Sequence, residues 1–271
     1  MNDVTAPAQG QAPSGTRELQ GRVALITGGG GAIGSAIARA LAGDGATAVI
    51  ADVDLAAAER VAAFIPGARA AQLDVADRES CRRVVAEIDA LDGRLDILVN
   101  NAGLQFVAPI DDYPEDRFDL LMKVMVYGTF YLTKDALPLM RRGAWGRIVN
   151  LGSIHSLIAS PNKSAYTAAK HAILGFTRAT ALEAAVDGIT ANCICPTYVR
   201  TPLVMNQIEP QARTLGITQE QVVNEVMLGP AAVKRFLEAD EVAALARFLC
   251  SNAAGGITGS AQVIDGGWTA R

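Results

Sequence analysis

The chain has 271 residues, half of them hydrophobic and 19% charged, with 24 Lys plus Arg against 28 Asp plus Glu and a formal net charge of -4. This composition is too apolar for a disordered chain and too evenly mixed for a fibre, and it supports a large buried core. The mild acidity and the lack of a dense Lys/Arg run argue against a nucleic-acid surface.

In chain order, residues 1–17 are expected to form a flexible tail, and residues 18–271 a single catalytic domain. The start has no basic segment with an apolar centre, and no run reaches transmembrane length, so the expectation is a soluble cytoplasmic protein with no membrane partner. A short apolar strand over 23–26 opens into a glycine cluster, and Ile33, Ile37, Ala40 and Leu41 then recur at helical spacing. A second strand over 49–51 ends at Asp52 and is followed by a helix over 55–64. A third strand over 69–73 stops at Asp74, before a helix over 81–91. A fourth strand over 95–99 ends on Asn100-Asn101-Ala102-Gly103. Further on come a helical stretch over 118–137, a strand over 146–151, a helix over 166–184 and a strand over 190–195 that ends at Pro196. The segment 201–236 is broken by Pro202, Pro210, Gly216, Gly229 and Pro230, and suits a small helical flap over a substrate. A helix over 239–249 and a strand over 261–264 close the order. Near-continuous apolar strands separated by helices predict an α/β fold: a doubly wound parallel sheet with helices on both faces. Polar groups gather just after the strand ends, at the edge where such sheets bind ligands.

The four cysteines, Cys81, Cys193, Cys195 and Cys250, do not make a disulfide scaffold. With His155 and His171 as the only histidines, Cys193-x-Cys195 reads as buried strand rather than a zinc site, and no metal is expected.

The run Thr27-Gly28-Gly29-Gly30-Gly31-Ala32-Ile33-Gly34 joins the first strand to the first helix. Glycine permits positive φ and close approach of phosphate oxygens, and the helix start offers free N–H groups and a favourable dipole. No Lys-Ser/Thr pair ends the run, which argues against an ATP-type phosphate loop. Asp52, at the end of the second strand, can accept from both ribose hydroxyls and would repel a 2′-phosphate; neighbouring Val53 and Asp54 supply no cation, so NAD is expected over NADP. Asp74, followed by Val75, reads either as a helix cap or as a contact at the adenine end.

Tyr166 and Lys170 stand four apart, on one face of a helix, and an ammonium beside a phenol favours phenolate. Ser153 follows a strand and can hydrogen-bond the same substrate oxygen.

In this order the glycine turn, Asp52, Asn101-Ala102-Gly103, Ser153, Tyr166 and Lys170 resemble the short-chain dehydrogenase/reductase family over residues 20–268. The resemblance implies a Rossmann fold with Tyr166 as acid/base. Lys170 would lower its pKa and hold the nicotinamide ribose, and Ser153 would orient the reacting oxygen. It also implies that Thr27, Gly28, Gly31, Ile33 and Gly34 hold the pyrophosphate side. Asp52, Asp74, Val75, Asn101, Ala102 and Gly103 would serve the adenosine side, and Pro196, Val199 and Thr201 the nicotinamide side. Ala32 stands where the family's middle glycine usually lies. A homotetramer joined near Phe118, Tyr166 and the last strand is also implied.

Within the family, 153–170, 188–192, 200–204 and the ending Asp265-Gly266-Gly267-Trp268-Thr269-Ala270-Arg271 resemble the bacterial D-3-hydroxybutyrate dehydrogenases. That likeness implies NAD-dependent oxidation of (R)-3-hydroxybutyrate, with Gln105, His155, Lys163 and Gln207 around the carboxylate. Tyr198, where tryptophan is expected, would wall the methyl end. Without the likeness, Lys163 reads equally as a solvated loop lysine, His155 as a polar loop residue and Gln105 as a surface glutamine. Another small hydroxy acid, a sugar alcohol or a 3-oxoacyl thioester as substrate, or a non-catalytic nucleotide-binding regulator, are the competing readings.

Two residues depart from the family pattern. Met125 stands where an asparagine usually supports a helix bulge and a proton-carrying water, and a thioether is only a weak acceptor. Thr197 stands where glycine usually follows Pro196, placing a side chain beside the nicotinamide or the substrate floor.

Overall fold

A computed structural model describes residues 17–270. The expected tail, apart from Arg17, lies outside the described residues.

Seven strands form one parallel sheet in the order β3-β2-β1-β4-β5-β6-β7. They are β1 Val23–Thr27, β2 Thr47–Asp52, β3 Arg69–Gln72, β4 Ile97–Asn100, β5 Gly146–Leu151, β6 Ile189–Pro196 and β7 Ala261–Ile264. The strand order reverses between β1 and β4, so the loops after these two strands diverge and open a crevice at the carboxyl edge. β1, β5 and β6 are buried at every position, which is why β1 reads as an apolar run and the few polar side chains of β5 and β6, such as Asn150 and Asn192, are hydrogen-bonded. Successive side chains still alternate between faces. From β1, Ala24 and Ile26 enter a core with helix α1 (Ala32–Gly43) and helix α10 (Ala239–Cys250). Val23 and Leu25 enter the opposite core with α3 (Arg78–Asp92), α5 (Gly128–Arg142) and α6 (Ser164–Ala184).

The helical stretch expected over 118–137 begins earlier and ends later. Helix α4 covers Glu115–Met122, a π-helical segment covers Lys123–Tyr127, and α5 continues through Pro138 to Arg142. Pro138 costs α5 one backbone hydrogen bond but does not end it, because the apolar face carrying Leu132, Ala136, Leu139 and Met140 remains buried on the sheet. The π segment forms with Met125 at its centre, so the bulge does not require asparagine there. The carbonyl of Met125 accepts from Thr129 Oγ1 at 2.7 Å.

The flap comprises α7 (Pro202–Met205), α8 (Ile208–Leu215), α9 (Gln219–Gln221) and a second π-helical segment, Val222–Met227. It has a small core of Ala212, Val222, Met227, Leu228 and Phe236, against which Tyr198 also packs. Thr201 caps α7 through its hydroxyl, which accepts from the Val204 amide at 3.3 Å, and Pro202 takes the first helical position. Among the described residues, no helix is long and apolar enough to cross a membrane.

Candidate active site

The glycine turn is built around contacts that only hydrogen atoms allow. Gly28 has φ +60°, and a Cβ on Gly34 would lie 2.3 Å from the Gly28 carbonyl oxygen. Gly31 precedes α1 with no side-chain cap, which leaves the amides of the first turn for a ligand. Asp52 is fixed at the end of β2: Oδ2 accepts from the Gly30 amide at 3.0 Å and Oδ1 from the Asp54 amide at 3.1 Å. Both oxygens keep a second lone pair, so the carboxylate can still receive ribose hydroxyls. This uncapped helix start, glycine cradle and oriented carboxylate fit a dinucleotide cofactor.

Several residues expected at the cofactor also brace its cradle. Asn101 Nδ2 donates to the carbonyls of Thr27 and Gly28, at 2.9 and 3.1 Å. The Thr27 hydroxyl accepts from the amides of Asn101 and Ala102, both at 3.0 Å, and donates to the Val99 carbonyl. These bonds stitch the glycine turn to the end of β4 and leave Thr27 no free hydrogen-bonding capacity. Asp74 is exposed and accepts from the Ala76 amide at 2.9 Å. The cap of α3 is Asp77, so the cap reading of Asp74 does not hold; it closes a turn. Val75 is buried against Gly128, where a Cβ would lie 2.8 Å from the valine's own Cβ. Val199 is buried and forms a one-residue bridge to Leu237 beside β6.

Beyond the cradle, a cavity of about 800 Å³, counted with its open mouth, has Ser153, Tyr166 and Lys170 in its wall. Ile33, Asn101, Gly103, Pro196, Val199 and Thr201 line it on the cofactor side. Gln105, His155, Lys163, Thr197 and Tyr198 line it on the other. Ser153 follows β5 and is 7% exposed; its amide donates to Ser156 Oγ at 3.2 Å, which tightens the turn that aims its hydroxyl. Lys170 donates to the Leu151 carbonyl at 2.6 Å, and burial pulls its ammonium down to about 8. Its Nζ lies 5.5 Å from the centroid of the Tyr166 ring. Burial pushes the Tyr166 phenol up to about 12, with a hydrogen bond from Ser153 acting against it. In the protein alone, therefore, desolvation of the phenolate outweighs the contribution of Ser153.

The polar cluster is buried rather than solvated. Lys163 is 7% exposed; its Nζ donates to the Tyr198 hydroxyl at 3.2 Å and sits 5.2 Å from that ring's centroid. Tyr198 thus lines the cavity and touches the cation, and its ring packs against Trp268 at 5.8 Å. His155 is 5% exposed, with Nδ1 3.3 Å from Ser153 Oγ and Nε2 2.9 Å from Ser160 Oγ. Both ring nitrogens are therefore engaged within the chain. His155 lines the cavity, and one of its nitrogens would exchange its serine partner to receive the expected carboxylate. Gln207 donates to the Leu203 carbonyl at 2.7 Å and to Gln105 Oε1 at 3.4 Å, linking flap to body without itself lining the cavity. Gln105 Nε2, Gln207 Oε1 and Thr197 Oγ1 are buried with no hydrogen-bond partner among the described residues. Sequence reasoning missed Ser160 and Thr129, because neither lies at a helical or strand spacing from the residues it serves. It also missed Leu203 and Val204, the apolar cover that α7 contributes.

A family profile described as enoyl-(acyl carrier protein) reductase matches residues 30–269. A D-beta-hydroxybutyrate dehydrogenase of Rhizobium meliloti is 44% identical over 256 residues, covering 92% of this chain and 99% of that protein. A D-beta-hydroxybutyrate dehydrogenase of Cupriavidus necator is 43% identical, covering 93% of this chain and all of that one. An uncharacterized oxidoreductase, YxjF, of Bacillus subtilis is 41% identical over the same shares.

Proposed function

Because the chain belongs to the short-chain dehydrogenase/reductase family of oxidoreductases, we propose that it oxidises (R)-3-hydroxybutyrate to acetoacetate with NAD and catalyses the reverse reduction. The observation that carries this reading is the buried Lys163 ammonium in the cavity wall, which donates to Tyr198 and, among the described residues, to no carboxylate. Beside it, Gln105 Nε2 is a buried donor with no partner among the described residues. In this reading the two donors, in the wall of the same cavity as Ser153 and Tyr166, receive one small anion. A four-carbon acid is too small to be recognised by apolar area, so its carboxylate must supply the positioning energy.

The first turn of α1, Asp52 and the loop after β6 would hold the cofactor. When bound, NAD supplies a hydride acceptor and a positive charge that favours the phenolate. Tyr166 then takes the proton of the C3 hydroxyl as the hydride leaves the same carbon. Ser153 holds the reacting oxygen, and Lys170, a buried cation, stabilises the phenolate. Asp52 and Asp54 side by side support NAD over NADP through repulsion of a 2′-phosphate. In the same reading the chain works as a homotetramer, joined at faces where Phe118, Tyr127, Phe130 and Val263 are exposed; a monomer mass in sedimentation would remove that part.

A second substrate reading, a small hydroxy acid bearing a further hydroxyl, is favoured by Thr197 Oγ1, buried beside the cavity without a partner among the described residues. Replacing Lys163 with Met tests the common element of both. The KM for the acid should rise by roughly 30-fold, the loss of about 2 kcal/mol from one charge-assisted hydrogen bond, while NADH affinity stays put. An unchanged KM would remove the anchor.

A further inference from the structure

Lys163 is the residue before α6, and among the described residues its buried ammonium meets the Tyr198 oxygen, at 3.2 Å, as hydrogen-bond partner. An ammonium has protons and no lone pair, so the phenol oxygen accepts this bond. The phenol's own proton is thereby directed away from the ammonium, and among the described residues no acceptor takes it. Both side chains line the cavity that Ser153 and Tyr166 share. The rest of the tyrosine is held in place. Its ring packs on Trp268, and its carbonyl accepts from the Leu237 amide at 3.0 Å. The tryptophan that the resemblance places here could not receive the lysine's bond, because an indole N–H donates and offers no acceptor.

We propose that Tyr198 is a ligand of the substrate carboxylate, paired with Lys163, and not the wall of the substrate's methyl end. The inference rests on the small-acid reading above and deepens it, by naming how the acid is told from its neutral derivatives. The ammonium takes one carboxylate oxygen and the phenol O–H takes the other. Lys163 holds the phenol oxygen, so that the hydroxyl proton is left for the anion. A thioester offers one carbonyl oxygen and no charge. It therefore leaves one of the two donors unpaired and forfeits the charge-assisted bond, which is how a polar pocket rejects an analogue.

The experiment uses the full chain with NAD. Tyr198→Phe keeps the ring against Trp268 and removes only the hydroxyl. KM for (R)-3-hydroxybutyrate should rise by about 10- to 100-fold, the range for a lost hydrogen bond to a charged group, with kcat and NADH affinity unchanged. Because the ammonium aims the hydroxyl, Lys163→Met combined with Tyr198→Phe should raise KM by less than the product of the two single effects. Butyrate, which keeps the carboxylate and lacks the reacting hydroxyl, is titrated by calorimetry into the enzyme–NAD complex. Tyr198→Phe should weaken its binding by the same factor as it raises KM. Unchanged KM and butyrate affinity in Tyr198→Phe would overturn the proposal and return the residue to the methyl end. A fall in kcat alone would overturn it too, as the mark of a residue that only shapes the site, and full multiplication of the two single effects would contradict the pairing. If the unsubstituted enzyme fails to oxidise (R)-3-hydroxybutyrate yet binds butyrate through Tyr198, the substrate reading falls and the carboxylate ligand stands. Failure to bind butyrate at all would remove the ligand.

Discussion

At the scale of single residues, His155 shows how burial and position combine. Its ring is enclosed at the end of β5, edge-on to Tyr166 with centroids 5.7 Å apart. Burial first, then Lys163, His171 and Lys170, pull its pKa from 6.5 to about 4. The folded value is below the unfolded one, so between pH 6.5 and about 4 the unfolded chain binds the additional proton. Stability is fully present above that window and is lost as pH falls through it, by about 3 kcal/mol in all. Urea unfolding at a series of pH values should show this loss, and the same series in His155→Gln should be flatter by that amount. Equal slopes would mean that another group carries the acid sensitivity. The sequence could name His155 as a candidate from its place two residues after Ser153, but not its partners. Ser160 is brought to it by a loop whose path no periodicity announces.

At the scale of elements, the strands were legible because a parallel sheet covered on both faces demands largely apolar runs, as β1 shows without a break and β5 and β6 show with only a few polar residues. Helix limits were less so. The helix expected to end at residue 137 continues through Pro138 to Arg142, since packing against the sheet outweighs one lost hydrogen bond. The π segment Lys123–Tyr127 was anticipated only as a feature that asparagine would support, yet it forms around Met125. There the thioether side chain is fully buried with Leu121, Ala165 and Ala169, and would be 3.6 Å from a Cβ placed on Gly103. Met125→Asn would bury an amide in that apolar cluster, at a cost of about 1–3 kcal/mol. Because the π segment already forms around Met125, turnover should not rise. A lowered urea midpoint with unchanged kcat is the expected pair of results; a large rise in kcat would show that the missing asparagine had been limiting.

At the scale of the whole molecule, the topology explains why residues so far apart in sequence meet. All strands are parallel, so Thr27, Asp52, Asn100, Leu151 and Pro196 end on one edge, and the reversal between β1 and β4 opens it. The sequence order of glycine turn, Asp52, Ser153, Tyr166 and Lys170 was enough to foresee that edge. It could not reveal that Thr27 and Asn101 brace the cradle, nor that Lys163 is buried against Tyr198. Those facts depend on distances across loops. The central claim is that this edge joins a nicotinamide site to a receptor for a small carboxylate. The most direct measurement is NADH or NADPH formation from separate (R)- and (S)-3-hydroxybutyrate and from the 3-hydroxybutyryl thioester. Turnover confined to the (R)-acid with NAD is the predicted result. No turnover on either acid, with NADH binding intact, or turnover of the thioester in place of the acid, would contradict it.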